Sequence, residues 1–130
     1  MTDRPKLKRV LLKVSGEILG GEQSGIDRDM VEAFAAEIEE AKTVGAEIAI
    51  VIGGGNILRG EMMRRQGVKK VAADYMGMLG TIINALALQS ALEARGVDAR
   101  VMTAIVMEHF VEPYVWRNAV RHLSEGRIVI

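Results

Sequence analysis

The sequence predicts an α/β fold of three layers, with a mostly parallel sheet between helices. Short apolar runs of strand length recur along the chain. Stretches with helical spacing separate them. The order is strand, helix, strand, helix, strand, helix, strand, which is how crossover helices place parallel strands side by side.

Arg9 to Val14 is apolar and partly β-branched, and reads as a buried first strand with one lysine near its end. Ser15-Gly16 breaks it. Residues 20–25 hold Gly20, Gly21, Ser24 and Gly25 and read as a loop. Asp27 is placed to cap a helix in which Met30, Phe34, Ile38 and Ala41 recur on one face. Gly45 is its stop. Glu47 to Ile52 predicts a second buried strand, and Gly53-Gly54-Gly55 follows it directly.

A long helix is expected from about Asp74 to Arg95. Its apolar residues Met76, Leu79, Ile82, Ile83, Leu86 and Leu88 spread beyond one stripe, so cover on two sides is expected. Gly96 ends it. Residues 100–106 predict a third strand, 113–124 a third helix, and 127–130 a fourth strand. That last strand is expected to be central in the sheet, and Ile130 falls inside it. On that ground the chain is expected to be the first part of one larger domain, lacking half the neighbours of its final strand.

With 130 residues the chain fits one domain or part of one. Hydrophobic residues make up 49% and charged residues 26%, a globular balance. Net charge is zero, so nothing points to nucleic acid. There are no cysteines, which excludes disulfides, thiolate catalysis and zinc–sulfur sites. No apolar signal core follows the basic N-terminus, and polar residues break the longer apolar stretches. A membrane span is therefore not expected, and the cytoplasm is the expected location.

Gly53-Gly54-Gly55-Asn56 lies at the carboxyl end of a strand, where open α/β sheets bind ligands. Glycines let backbone N–H groups approach a phosphate closely. Arg59 follows within reach, with a planar fork suited to phosphate oxygens. A plain tight turn is the competing reading. Lys13, Ser15 and Gly16 close the first strand, and a lysine among valines and leucines must snorkel or meet an anion. Asp74 suits a sugar diol or a helix cap, and on the residues alone the cap is favoured. Met62, Met63, Met76, Met78, Met102 and Met107 read as apolar filler, Tyr114 and Trp116 as packing residues of the last helix, and His109 and His122 as isolated. No Gly-x-x-x-x-Gly-Lys-Ser/Thr is present, and Leu58 spoils a dinucleotide fingerprint.

From Arg9 to Ile130 the chain resembles bacterial uridylate kinases of the amino-acid-kinase superfamily. The resemblance is carried by Leu12-Lys13-Val14-Ser15-Gly16-Glu17, by Val51 through Gly60, and by Ala73 through Asn84. The first motif belongs to the whole superfamily, acetylglutamate and aspartate kinases included. The other two are particular to uridylate kinases. The resemblance implies an amino-acid-kinase, carbamate-kinase-like fold and transfer of the ATP γ-phosphate to UMP, giving UDP. It implies that Lys13, Val14, Ser15 and Gly16 contact ATP phosphates, with Lys13 the catalytic charge balance. Gly55 and Arg59 would lie around the phosphates, and Gly54 and Asp74 would hold UMP. Magnesium would accompany ATP, and no metal ligand is assigned. Hexamers built from dimers, GTP activation and UTP inhibition are implied as well, and the long helix suits a subunit contact. The Gly20–Gly25 loop, in the GTP-responsive region, is a little shorter than in some members. Two other readings stay open: a non-catalytic nucleotide- or anion-binding module, and a sister kinase of an acidic amino acid. The adenine-binding part and a catalytic aspartate are expected only in a segment after the fourth strand, so this chain alone is not expected to turn over.

Overall fold

The computed structural model describes residues 6–22, 24–58 and 66–130. Strand β1 (Arg9–Val14) leads through a 3-10 turn (Gly16–Leu19) and the glycine loop into helix α1 (Arg28–Lys42). Strand β2 (Glu47–Ile52) follows, then helix α2 (Lys70–Ala94). Short strands β3 (Ala99–Arg100), β4 (Met102–Thr103) and β5 (Glu112–Pro113) precede helix α3 (Trp116–Ser124) and strand β6 (Ile128–Val129).

The main sheet runs β1-β2-β6-β3, and every pairing is parallel. Helices α1 and α2 pack against each other on one face. There Ile48, Ile50 and Ile52 of β2 meet Phe34 and Ile38 of α1 and Leu88 and Leu92 of α2 in one apolar core. Helix α3 lies on the other face, with Leu123 against β6. These are the three layers the alternation predicts.

Local chemistry explains α1 well. Asp27 caps it, its carboxylate accepting from Met30 N–H at 3.1 Å. Gly45 takes a left-handed φ of 93° just beyond the end.

Five expectations need correction. Strand β1 is not buried but alternates, with Leu11 67% exposed, because no helix covers its outer side. Helix α2 begins at Lys70 and is capped by no side chain, so Asp74 lies inside its second turn and is not the cap. The strand expected over 100–106 divides. Tyr114 N–H donates to the Thr103 carbonyl, drawing Met102–Thr103 onto Glu112–Pro113, and Ile105 N–H then turns back to the Thr103 hydroxyl. That pairing also takes Pro113 out of the expected helix, which starts at Trp116. Strand β6 is central as expected, yet it has a partner on each side, β2 and β3.

By length and composition α2 could cross a membrane, contrary to the reading that polar residues break it up too much. Its contacts make it the roof of the sheet instead. Leu88 and Leu92 are wholly buried, Asn84 bonds inward, and Gln89 donates to the Ala99 carbonyl. Only one side is covered, however. Val71, Tyr75, Met78, Leu79 and Ile83 are exposed, where cover on both sides was expected.

Candidate functional site

The two glycine-bearing turns adjoin at the carboxyl ends of β1 and β2. In the parallel register Lys13 pairs with Val51 and Val14 with Ile52. The ladder runs one bond further, from Gly53 N–H to the Val14 carbonyl at 3.0 Å. A cleft of about 360 Å³ opens there, lined by Lys13, Val14, Ser15, Val51, Ile52 and Gly53.

Each strand end is shaped by its sequence. Lys13 falls on the uncovered face of the alternating strand and its side chain is exposed, so burial does not force it to find an anion. Its ammonium is a positive charge at the edge of the cleft. Ser15 caps the 3-10 turn, its hydroxyl accepting from Glu17 N–H at 3.3 Å. Accepting leaves the hydroxyl proton for donation. Gly16 is buried beneath it.

In the second turn Ile57 and Leu58 N–H groups fold back onto the Gly54 carbonyl. Gly54 needs its missing side chain for packing: a Cβ there would lie 2.9 Å from the Gly77 carbonyl and 3.0 Å from Thr81 N on α2. Gly55 faces open space. Asp74 is exposed one turn before Gly77, which brings it to the same end of the sheet. Arg59 lies outside the described residues, as do Met62 and Met63.

Thus Lys13, Val14, Ser15, Gly16, Gly54 and Gly55 come together, with Asp74 nearby on α2. Two residues of this region carried no expected role of their own. Asn56 and Asn84 are both buried and bond to each other beneath the turns. No spacing rule joins positions so far apart in sequence, although an asparagine inside an apolar helix is itself a signal of a buried partner.

Among the described residues, a dense charge cluster lies at the opposite end. Asp98 bonds Arg100 and Arg127, and Arg127 also bonds Glu125. Partial burial acts to raise the Asp98 carboxyl, but hydrogen bonding and charge from Arg100 and Arg127 together hold it below its ordinary value. Arg127 holds Glu125 down in the same way, chiefly through their hydrogen bond. His122, expected to be isolated, is buried with Nε2 2.8 Å from Glu112 Oε2 and Nδ1 3.3 Å from Arg127 Nη1. Guanidinium can only donate, so Nδ1 accepts and Nε2 carries the proton toward Glu112. Tyr114 and Trp116, expected to pack, are 58% and 60% exposed.

A profile of the Amino acid kinase family matches residues 8–130. The chain belongs to the amino acid kinase family. It is 57% identical to a uridylate kinase of Clavibacter michiganensis, over the whole of this chain and 54% of that protein. A uridylate kinase of Mycolicibacterium vanbaalenii is 51% identical over 98% of the chain and 51% of its own length. The chain therefore spans about half the length of these relatives. A UMP kinase structure from Bacillus anthracis superposes with a TM-score of 0.89 at 43% identity, covering 95% of this chain and 51% of that one. An aspartate kinase from Synechocystis, at 18% identity and TM-score 0.64, covers 92% of this chain and 20% of its own and shares the fold.

Proposed function

We propose that the chain is the acceptor-side part of a UMP kinase, the N-terminal portion of a single amino-acid-kinase domain that moves the ATP γ-phosphate to UMP. The observation that carries this is the junction of Lys13–Gly16 with Gly53–Gly55 on adjoining strand ends. It sets a lysine, a hydroxyl and two glycine-rich backbone segments around one cleft. Phosphoryl transfer needs mainly such positioning and charge neutralisation. Relatives named uridylate kinase, about half of whose length this chain spans, point that cleft at UMP.

In this reading Lys13, the catalytic residue, neutralises charge on the transferring phosphate. Val14, Ser15 and Gly16 hold the donor phosphates, with Ser15 donating its hydroxyl proton. Gly55 and Arg59 border the phosphates, while Gly54 and Asp74 serve UMP. The cleft lining contains no carboxylate, so magnesium would arrive bound to ATP rather than be held by these residues. The exposed apolar side of α2 supports a homo-oligomer, hexameric as the resemblance implies. GTP activation and UTP inhibition remain part of the proposal, as does a cytoplasmic site of action.

The deciding experiment fuses the second half of the Clavibacter relative after Ile130. ATP consumption that depends on UMP is expected. ATP consumed only with an acidic amino acid would favour the sister-kinase reading, and UMP binding without turnover the non-catalytic module. In the active fusion, Lys13→Ala should cut kcat far more than it raises the KM for UMP. Equal effects on both would reduce Lys13 to a structural role.

A further inference from the structure

Four segments of the chain meet at two buried amides. Asn56 closes the glycine turn and is 4% exposed, and Asn84, in the middle of α2, is wholly buried. Their side chains bond head to tail. Asn56 Nδ2 donates to Asn84 Oδ1 at 3.0 Å, and Asn84 Nδ2 donates to Asn56 Oδ1 at 2.6 Å. Each amide has a second proton, and each reaches backbone. Asn56 Nδ2 also donates to the Gly25 carbonyl at 3.0 Å, and Asn84 Nδ2 to the Gly53 carbonyl at 2.8 Å. The Asn56 backbone carbonyl accepts Gly25 N–H in return, at 2.7 Å. Those outer carbonyls fix both amide orientations, since rotating either side chain would set oxygen against oxygen.

The Ser15–Gly16 turn rests on this pair. A Cβ at Gly16 would lie 2.5 Å from Asn56 Oδ1, 2.6 Å from the Gly53 carbonyl and 2.9 Å from Asn84 Nδ2. The pair thus touches the first turn, holds the second, clasps the glycine loop and is anchored in α2.

We infer that Asn56 and Asn84 are positioning residues. Together they set the spacing between the Ser15–Gly16 turn and the Gly53–Gly55 turn, and they tie that spacing to the Gly20–Gly25 loop. Neither is placed to touch a ligand, because both are buried. The consequence for phosphate transfer rests on the function proposed above, whereas the coupling itself rests on the geometry alone. Only an amide supplies both donor and acceptor in this shape. A carboxylate at either position would set an oxygen against two acceptors, and an apolar group would leave the Gly25 or Gly53 carbonyl without its amide donor.

A mere core filler and a coupling device differ in what moves when residue 84 changes. Among the described residues Asn84 makes no hydrogen bond to the glycine loop, and its hydrogen-bonded link to it runs through Asn56. In Asn84→Ser, hydrogen exchange followed by NMR on this chain should show the Gly25 amide opening about tenfold faster, the worth of one hydrogen bond. The amides of Phe34 and Ala35 in α1 should stay as slow as before. Unchanged protection at Gly25, or equal acceleration throughout, would overturn the inference. Gly16→Ala keeps both asparagines but drives a methyl between them, and the same selective loosening at Gly25 is expected. It decides the matter if Asn84→Ser does not fold. UMP-dependent ATP consumption by the Clavibacter fusion separates the two ideas. Its failure would remove the nucleotide reading, and the exchange pattern would still decide the amide coupling.

Discussion

The two faces of the sheet are finished in different ways. On one, α1 and α2 cover Ile48, Ile50 and Ile52 completely, and Leu88 and Leu92 lie at zero exposure beneath them. On the other, α3 reaches β6 and part of β2 but leaves β1 open. Leu11, Val51 and Trp116 then border an open groove of about 560 Å³ with Arg9 and Ile130. The same alternating strands feed both faces. The difference teaches that apolar patterning specifies which residues share a face, while cover depends on which helices reach it. It also locates stability. The closed face holds the packed core, and the open face carries Lys13 at its carboxyl end.

The strongest way to break that contrast is to cut the closed face. Leu88→Ala should cost about 2–5 kcal/mol in denaturant unfolding, since the site is fully packed and can collapse only in part. Asp27→Ala removes the α1 cap and should cost about 1 kcal/mol by the same measurement. On the open face Leu11→Ser should change stability by no more than about 0.5 kcal/mol. A cost approaching that of Leu88→Ala would mean that this face is covered in solution, and sedimentation would then show association. The smallest expected effect lies in the charge cluster. Asp98 has a lowered folded pKa, so its contribution is present above the ordinary carboxylate pKa and fades as pH falls through the lowered value. The thermal midpoint should therefore drop slightly below about pH 4. Asp98→Asn should show less of that drop, because it has no carboxylate to protonate, and the difference should be small because that carboxylate is half exposed.

Local signals made much of the fold readable. β1, α1 with its Asp27 cap, β2 and the glycine turn all lie where residue spacing and turn chemistry place them. Helix α2 was found but started too late, because Lys69 offers no capping side chain to mark its beginning. The division at Val101 depends on Tyr114 N–H reaching Thr103, a contact invisible in a window of a few residues. The site divided in the same manner. Glycines at strand ends announce the cleft, whereas the pairing of Asn56 with Asn84, and of His122 with Glu112, is made by tertiary folding alone. Cover was the least readable property, as exposed Leu11 and Trp116 show.

The strand order has a consequence in time. β6 lies between β2 and β3, yet it is the last of the three to be synthesised. Until Ile128 and Val129 leave the ribosome, β2 and β3 have no hydrogen-bonded link, and each presents an open edge. β1, β2 and α1 can assemble early from neighbouring sequence. The four-stranded sheet closes only once β6 has been made, through contacts distant in sequence. A nascent chain held just short of Ile128 would be a natural client for chaperones that mask strand edges.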